Sequence, residues 1–176
     1  MSKNQHTILI FLTGIYSISG VFCSWVTCSE NGVAYMFEEQ KVDWNEAARG
    51  CEFAGGSLAI IRSNFDEDCI VRNLKQSVGP YSIGGTKSSS GLWTWMDGTL
   101  ITQPTYWATG EPNNAGDGEN CLHFRLYDGV YFWNDISCNV IGGYVCQRTP
   151  YSTESMTSVT NEQSTTSAME TTVTTH

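Results

Sequence analysis

Seven cysteines in 176 residues constrain this chain more than any other feature of its sequence. They stand at Cys23, Cys28, Cys51, Cys69, Cys121, Cys138 and Cys146, and no Cys-x-x-Cys pair with partner histidines occurs among them, which argues against zinc. In an exported chain such a set reads as a disulfide framework around a loop-rich fold. The N-terminus agrees with export. Lys3 precedes a mostly apolar run from Ile8 to Ile18, and Gly20 and Cys23 suit cleavage, so residues 1–23 read as a signal peptide of a secreted protein. A membrane anchor needs about 20 apolar residues, and this run is shorter and is broken by Thr13, Gly14 and Ser17. No other stretch is apolar enough to span a bilayer. Cleavage after Cys23 leaves an even number of cysteines, but spacing alone does not decide which of them pair.

The formal net charge of −9 comes from a shortage of Lys and Arg rather than from an acidic block. Without a basic cluster, nucleic acid and anionic membrane surfaces are poor partners. Three zones follow: the leader, a globular body over 24–149, and a Ser/Thr-rich tail over 150–176. The tail has too little apolar surface to offset its ordering entropy, so it is expected to be disordered, either as a mucin-like stalk or as a plain flexible end.

Within the body the pattern is α+β. Asp43 followed by Glu46 forms a capping box; Trp44, Ala47, Ala48, Cys51 and Ala54 share a helical face, and Gly55-Gly56 ends the helix. A second helix is expected from Ser63 or Asn64 toward Lys75, with Asp66, Glu67 and Asp68 in its first turn, Ile70 and Leu74 facing inward, and Gly79-Pro80 as its stop. Short apolar runs over 81–83, 92–96, 122–126, 130–133 and 143–146 then read as antiparallel strands. From Asp97 to Asn120 a long segment rich in Gly, Pro and Asn has little regular pattern, and loops of that length are usually functional or disordered.

That loop carries Glu111-Pro112-Asn113-Asn114 and Gly116-Asp117-Gly118-Glu119-Asn120-Cys121, and Trp133-Asn134-Asp135 follows before Cys138. Calcium takes six to eight oxygen ligands from carboxylates, amides and water. Glu111, Glu119 and Asp135 supply charge, and Asn113 and Asn134 supply neutral oxygens. A cis peptide at Pro112 would turn the oxygens on either side of it the same way. The same residue types also populate ordinary solvated turns, so composition alone leaves both readings open.

These motifs resemble the C-type lectin-like domain, a calcium-dependent carbohydrate-recognition family. Glu111-Pro112-Asn113, Glu119 ahead of Cys121, and Trp133-Asn134-Asp135 ahead of Cys138 carry the resemblance. Tyr81-Ser82-Ile83-Gly84-Gly85 is similar to the family's Trp-Ile-Gly-Leu strand, Trp95-Met96-Asp97-Gly98 to the entry of its long loop, and Val145-Cys146 to its last strand. The resemblance implies two helices flanking small antiparallel sheets, with a long calcium- and sugar-binding loop. It also implies disulfides Cys51–Cys146 and Cys121–Cys138. Cys28 and Cys69 are left over: either they pair, or Cys28 bridges two chains and Cys69 is a buried thiol. Ala34 stands where the long form of the family has a further cysteine, so that extra bridge is not expected.

By the same resemblance, Glu111, Asn113, Glu119, Asn134 and Asp135 would hold Ca2+, and Glu111, Asn113, Glu119 and Asn134 would bond two neighbouring sugar hydroxyls. The Glu-Pro-Asn order implies mannose-, glucose-, N-acetylglucosamine- or fucose-type glycans, whereas Gln-Pro-Asp accompanies galactose. Lys87, Ser90, Asn114 and Asn120 stand where many relatives place acids for an auxiliary calcium, so one ion is expected. Gly85 and Ser82 replace a leucine and a tryptophan, which suggests looser packing under the loop. Residues 127–132 are longer than usual, and Tyr131 and Phe132 there would either stack on a second sugar or fill the core.

An enzyme is not expected. Gly-x-Ser-x-Gly, His-Glu-x-x-His and phosphate-loop motifs are missing, and His123 reads as a strand residue without a catalytic partner. Glu111 and Glu119 could in principle form a glycosidase pair, but their amide neighbours favour a cation. The alternative is a sugar-independent protein-binding or toxin-like module on the same fold. Useful avidity would require an oligomer, for which the chain carries no coiled-coil or collagen segment.

Overall fold

The computed structural model describes residues 24–27, 32–116 and 118–149. The expected leader (1–23), Cys28, Asp117 and the tail (150–176) lie outside the described residues. In chain order the elements are β1 (Val26–Thr27), β2 (Ala34–Val42), α1 (Trp44–Phe53), β3 (Ser57–Leu58), α2 (Asn64–Asn73), β4 (Tyr81–Lys87), β5 (Trp93–Trp95), β6 (Glu119–Tyr127), β7 (Val130–Ser137) and β8 (Gly142–Arg148). The sheet runs β1-β2-β8-β4-β6-β7, with β3 paired to β8 and β5 to β4. Only β4 and β8 pair in parallel, Tyr81 opposite Gly143 and Ser82 opposite Tyr144; the other paired strands are antiparallel. This is an α+β fold.

Both helices begin where local chemistry dictates. The Asp43 carboxylate accepts from the Glu46 amide at 2.8 Å and caps α1, which buries Trp44, Ala47, Ala48 and Cys51. Ser63 caps α2. The acids Asp66 and Glu67 stand in the first turn of α2 as expected, and both are buried. Asp66 accepts from the Tyr35 hydroxyl at 2.9 Å, the Arg62 amide at 3.0 Å and the Ser63 hydroxyl at 2.9 Å, which satisfies a carboxylate that has lost water.

The long strand β2 has no counterpart in the sequence reading. Ala34, Tyr35 and Met36 are all buried, because the start of β2 lies between β1 and β8 with both faces covered, and Glu39 to Lys41 then run to solvent. No period-2 alternation results, so the usual strand signal is missing.

Two disulfides staple the fold as the resemblance implied. Cys51–Cys146 ties α1 to β8 across a separation of 95 residues, and Cys121–Cys138 ties the start of β6 to the segment after β7. Cys69 is also disulfide-bonded, which overturns the reading of a buried free thiol; it is half-exposed on α2, where another segment can reach it. The Cys28 partner foreseen for it lies outside the described residues.

Packing under the long loop is tight, contrary to expectation. A Cβ added to Gly85 would sit 2.6 Å from Leu122 Cδ2 and 3.1 Å from Ile101 Cδ1, so those side chains already fill the space. Ser82 and His123 are both fully buried and fill the neighbouring position as a polar pair, with Oγ and Nε2 2.9 Å apart. At the centre, Trp133 is fully buried and meets Trp95, Tyr106 and Trp107 edge-to-face at 5.6, 5.3 and 5.8 Å. Main-chain bonds from Trp133 N to Tyr106 O (2.7 Å) and from Ala108 N to Trp133 O (2.9 Å) dock the long loop on β7. Tyr131, on the same strand, is a core residue packed against Tyr81 and Phe124, whereas Phe132 faces out.

Candidate functional site

The docked loop carries Glu111 and Asn113 directly to the end of β7. The Glu111 amide donates to Ala108 O at 3.0 Å, and the Glu111–Pro112 peptide is cis, as is Gln103–Pro104. Asn113 bonds Glu111 twice, through its main-chain amide to Oε2 at 3.1 Å and its side-chain amide to Oε1 at 3.0 Å. Asp135, fully buried on β7, accepts the amides of Asn113 at 3.0 Å and Asn114 at 2.9 Å. Asn114 takes a positive φ of 52° and accepts the Glu119 amide on its side-chain oxygen at 3.3 Å, which draws the start of β6 to the same place. The structure thus brings Glu111, Asn113, Glu119 and Asp135 together around one turn.

Asn134 completes the set from β7 and is only 3% exposed. Its Nδ2 donates to the Tyr127 hydroxyl at 2.9 Å, which leaves Oδ1 as a buried oxygen without a hydrogen-bond partner. Such an orphaned acceptor costs about 1–3 kcal/mol and is uncommon in folded proteins. A cation would satisfy it.

The electrostatics point the same way. Partial burial raises the Glu111 pKa, and the Asp135 carboxyl within hydrogen-bonding reach, with Glu119 further off, pushes it up too, against the lowering effect of the Asn113 amide. Like charges held together in this manner favour a positive guest. Among the described residues no group of three or more Asp, Glu, His and Cys forms a metal cage by itself. The candidate donors are three carboxylates and two amide oxygens, a chemistry that suits a hard cation such as Ca2+ better than a soft metal.

Lys87 occupies one of the positions at which the resemblance places acids for an auxiliary calcium. Its ammonium donates to Asn114 Oδ1 at 2.6 Å, stands 3.9 Å from the Asp135 carboxylate, and its side chain is only 16% exposed. Ser90 bonds Ser88 at 2.8 Å on an exposed turn, and Asn120 is exposed. A fixed positive charge already sits there.

Two site features escaped the sequence reading. Tyr127 was not singled out as a partner of Asn134; it precedes the Asp128-Gly129 turn, so its place near a hairpin tip was legible, but not its reach back across the strand pair. His123 has a polar partner after all in Ser82, yet both are sealed from solvent, and burial pushes the imidazole down to about 4, so it is neutral. A sealed serine–histidine pair cannot meet a substrate.

The chain is 37% identical to perlucin from Haliotis laevigata, over 66% of this chain and 78% of that protein. It is 30% identical to mouse CD209 antigen-like protein A over 72% of this chain, but spans only 52% of that longer relative. The C-type lectin domain of murine dendritic cell inhibitory receptor 2, solved in complex with N-glycan, superposes with a TM-score of 0.62 at 32% identity, covering 67% of this chain and 91% of that one. A Ca2+-dependent type II antifreeze protein in its Ca2+-free form superposes as well, with a TM-score of 0.63 at 26% identity, over 71% of this chain and 97% of the other. The Lectin C-type domain family matches residues 40–148, from the end of β2 to the end of β8, and so takes in both disulfides and the whole acid–amide turn: the chain belongs to the C-type lectin domain family.

Proposed function

We propose that this chain is a secreted lectin whose domain, residues 24–149, binds mannose-type glycans through one Ca2+ held by Glu111, Asn113, Glu119, Asn134 and Asp135. The observation that carries the reading is the buried, partnerless Oδ1 of Asn134, next in sequence to Asp135, together with a Glu111 carboxyl whose proton affinity is raised by burial and by the neighbouring Asp135. Bound there, calcium would offer its remaining coordination positions to two neighbouring hydroxyls of a pyranose. Glu111 and Glu119 would accept the hydroxyl protons, and the amides of Asn113 and Asn134 would donate to the hydroxyl oxygens, so that each polar group finds a partner. The order Glu-Pro-Asn fixes which side donates and which accepts, and on it rests the preference for equatorial 3,4-diols. Affinity for a monosaccharide should be on the order of millimolar, because the contact is small and exposed. Support also comes from relatives of this fold whose structures were solved with N-glycan or with N-acetylglucosamine.

The test is retention on immobilised mannose with calcium and release by chelator; retention that ignores chelator overturns the mechanism. Specificity is tested by Glu111→Gln with Asn113→Asp, which reverses the donor and acceptor positions. The double variant should favour galactose over mannose by about tenfold, a difference near 1.4 kcal/mol, with calcium binding retained in calorimetry. An unchanged preference would sink the selectivity argument. The antifreeze neighbour shows that a non-lectin role can sit on this fold, so a domain that binds calcium but no sugar would favour the sugar-independent reading.

A further inference from the structure

Two amide side chains belong to the candidate site, and they are held in different ways. Asn113 is fixed within its own turn: its side-chain amide donates to Glu111 Oε1 at 3.0 Å, and its Oδ1 accepts the Ala115 amide at 2.7 Å. Asn134 is held from outside. Its Nδ2 donates to the Tyr127 hydroxyl at 2.9 Å, while its Oδ1 is buried without a hydrogen-bond partner. The terminal torsion of an asparagine is broad and roughly two-fold, so nothing intrinsic to the residue chooses which end faces which way. The bond to Tyr127 makes that choice.

Tyr127 is well placed to make it. It ends β6 directly before Asp128-Gly129, whose φ values of 48° and 85° suit a two-residue hairpin turn. The Gln76 side chain donates to Gly129 O at 3.3 Å and so ties the hairpin tip to the segment after α2. The Arg125 guanidinium lies 5.8 Å from the centroid of the Tyr127 ring, within range of a cation–π contact. The hydroxyl itself stands in the field of Glu111, Glu119 and Asp135. Three negative charges draw its proton to their side, which leaves a lone pair for Asn134 Nδ2. The reversed amide, with Oδ1 on the phenol, would need that proton turned away from the acids.

We propose that Tyr127 is a positioning residue for the metal site: its hydroxyl pins the Asn134 amide so that Oδ1 stays free for Ca2+. The inference rests on the calcium–sugar reading and deepens it. An asparagine side chain has two N–H donors and one oxygen acceptor. One N–H goes to the phenol, the oxygen is left for the ion, and the second N–H is left for a sugar hydroxyl. The bond to Tyr127 therefore uses the one position that ligand binding does not need. Without the hydroxyl, the amide is free to turn its N–H end toward the carboxylates, and an arriving cation must reverse it.

The first measurement needs no calcium. In chelator, the side-chain amide protons of Asn134, assigned by NMR through their loss in Asn134→Asp, should exchange at least about tenfold more slowly than those of the exposed Asn139. Tyr127→Phe keeps the ring and should remove that protection. Calorimetry should show calcium affinity about fivefold weaker in Tyr127→Phe, the size of one net hydrogen bond. Mannose affinity at saturating calcium should stay within about twofold, because the bound ion then holds the amide. Asn134→Asp is the discriminating background, since a carboxylate presents oxygen whichever way it turns. Adding Tyr127→Phe there should change calcium affinity by less than about twofold. An equal loss in both backgrounds would mean that Tyr127 only supports the hairpin, and it overturns the proposal. Unchanged calcium affinity in Tyr127→Phe overturns it too, as does an Asn134 amide that exchanges as fast as an exposed one. An unaltered protein that gives no calcium heat is the separate outcome that removes the calcium–sugar reading, and the positioning role falls with it.

Discussion

Glu67 shows how much one buried proton can matter here. It sits on α2, its carboxyl accepts the Trp133 indole N–H at 3.2 Å, and burial, only partly offset by that bond, pushes its pKa up to about 8. The folded value exceeds the ordinary 4.5, so the native state holds more protons than the unfolded one between about pH 4.5 and 8. Stability from this group is therefore complete below pH 4.5, falls as pH rises through that window, and levels off above about 8. Glu67→Gln keeps an acceptor for Trp133 without the charge. Urea unfolding at pH 5, 7 and 9 should show the variant retaining on the order of a few kcal/mol that the unaltered protein loses over this range. Parallel pH profiles would remove Glu67 as the cause. The effect reaches function because Trp133 precedes Asn134 and Asp135 on β7 and anchors the long loop.

At the scale of elements, the long loop is held without any helix or strand of its own. Its fasteners are two main-chain bonds to Trp133, the Asp135 carboxylate under the amides of Asn113 and Asn114, and the Lys87 ammonium at the end of β4. Lys87 has two opposed effects on a cation bound next door: it repels the ion, and it holds Asn114 and Asp135 in position. A bond to a charged group contributes about 1.5–3 kcal/mol, so positioning should dominate. Lys87→Met is expected to weaken calcium binding about tenfold and to expose residues 108–120 to proteolysis even in chelator. Tighter calcium binding in titration calorimetry would show that repulsion wins. Much of this loop's importance was legible from residues: the Glu-Pro-Asn and Trp-Asn-Asp runs stand out in the chain, and five residues separated by up to 24 positions were grouped from them. The anchoring role of Lys87 was not legible, because it depends on β4 lying beside a turn 27 residues away.

For the whole molecule, the Cys51–Cys146 disulfide closes a 95-residue span, joining α1 to the last strand, β8. In the chain-entropy account a closure of this span is worth about 4–5 kcal/mol. Replacing both cysteines by Ala should lower denaturant stability by that order while leaving the secondary structure seen by circular dichroism in place; a loss under 1 kcal/mol would contradict the entropic account. Local signals determined a good deal of this protein without tertiary help: the caps of both helices, the strands after Gly79-Pro80 and the acid–amide turn. Those features depend on neighbours a few residues apart. The tertiary structure alone decided the rest. It covered both faces of β2 at its start, turned Asp66 and Glu67 inward, filled the space above Gly85 with Leu122 and Ile101, and set Tyr127 against Asn134. Each of these depends on which distant segments share a surface, and that is settled only when the sheet closes around Trp133.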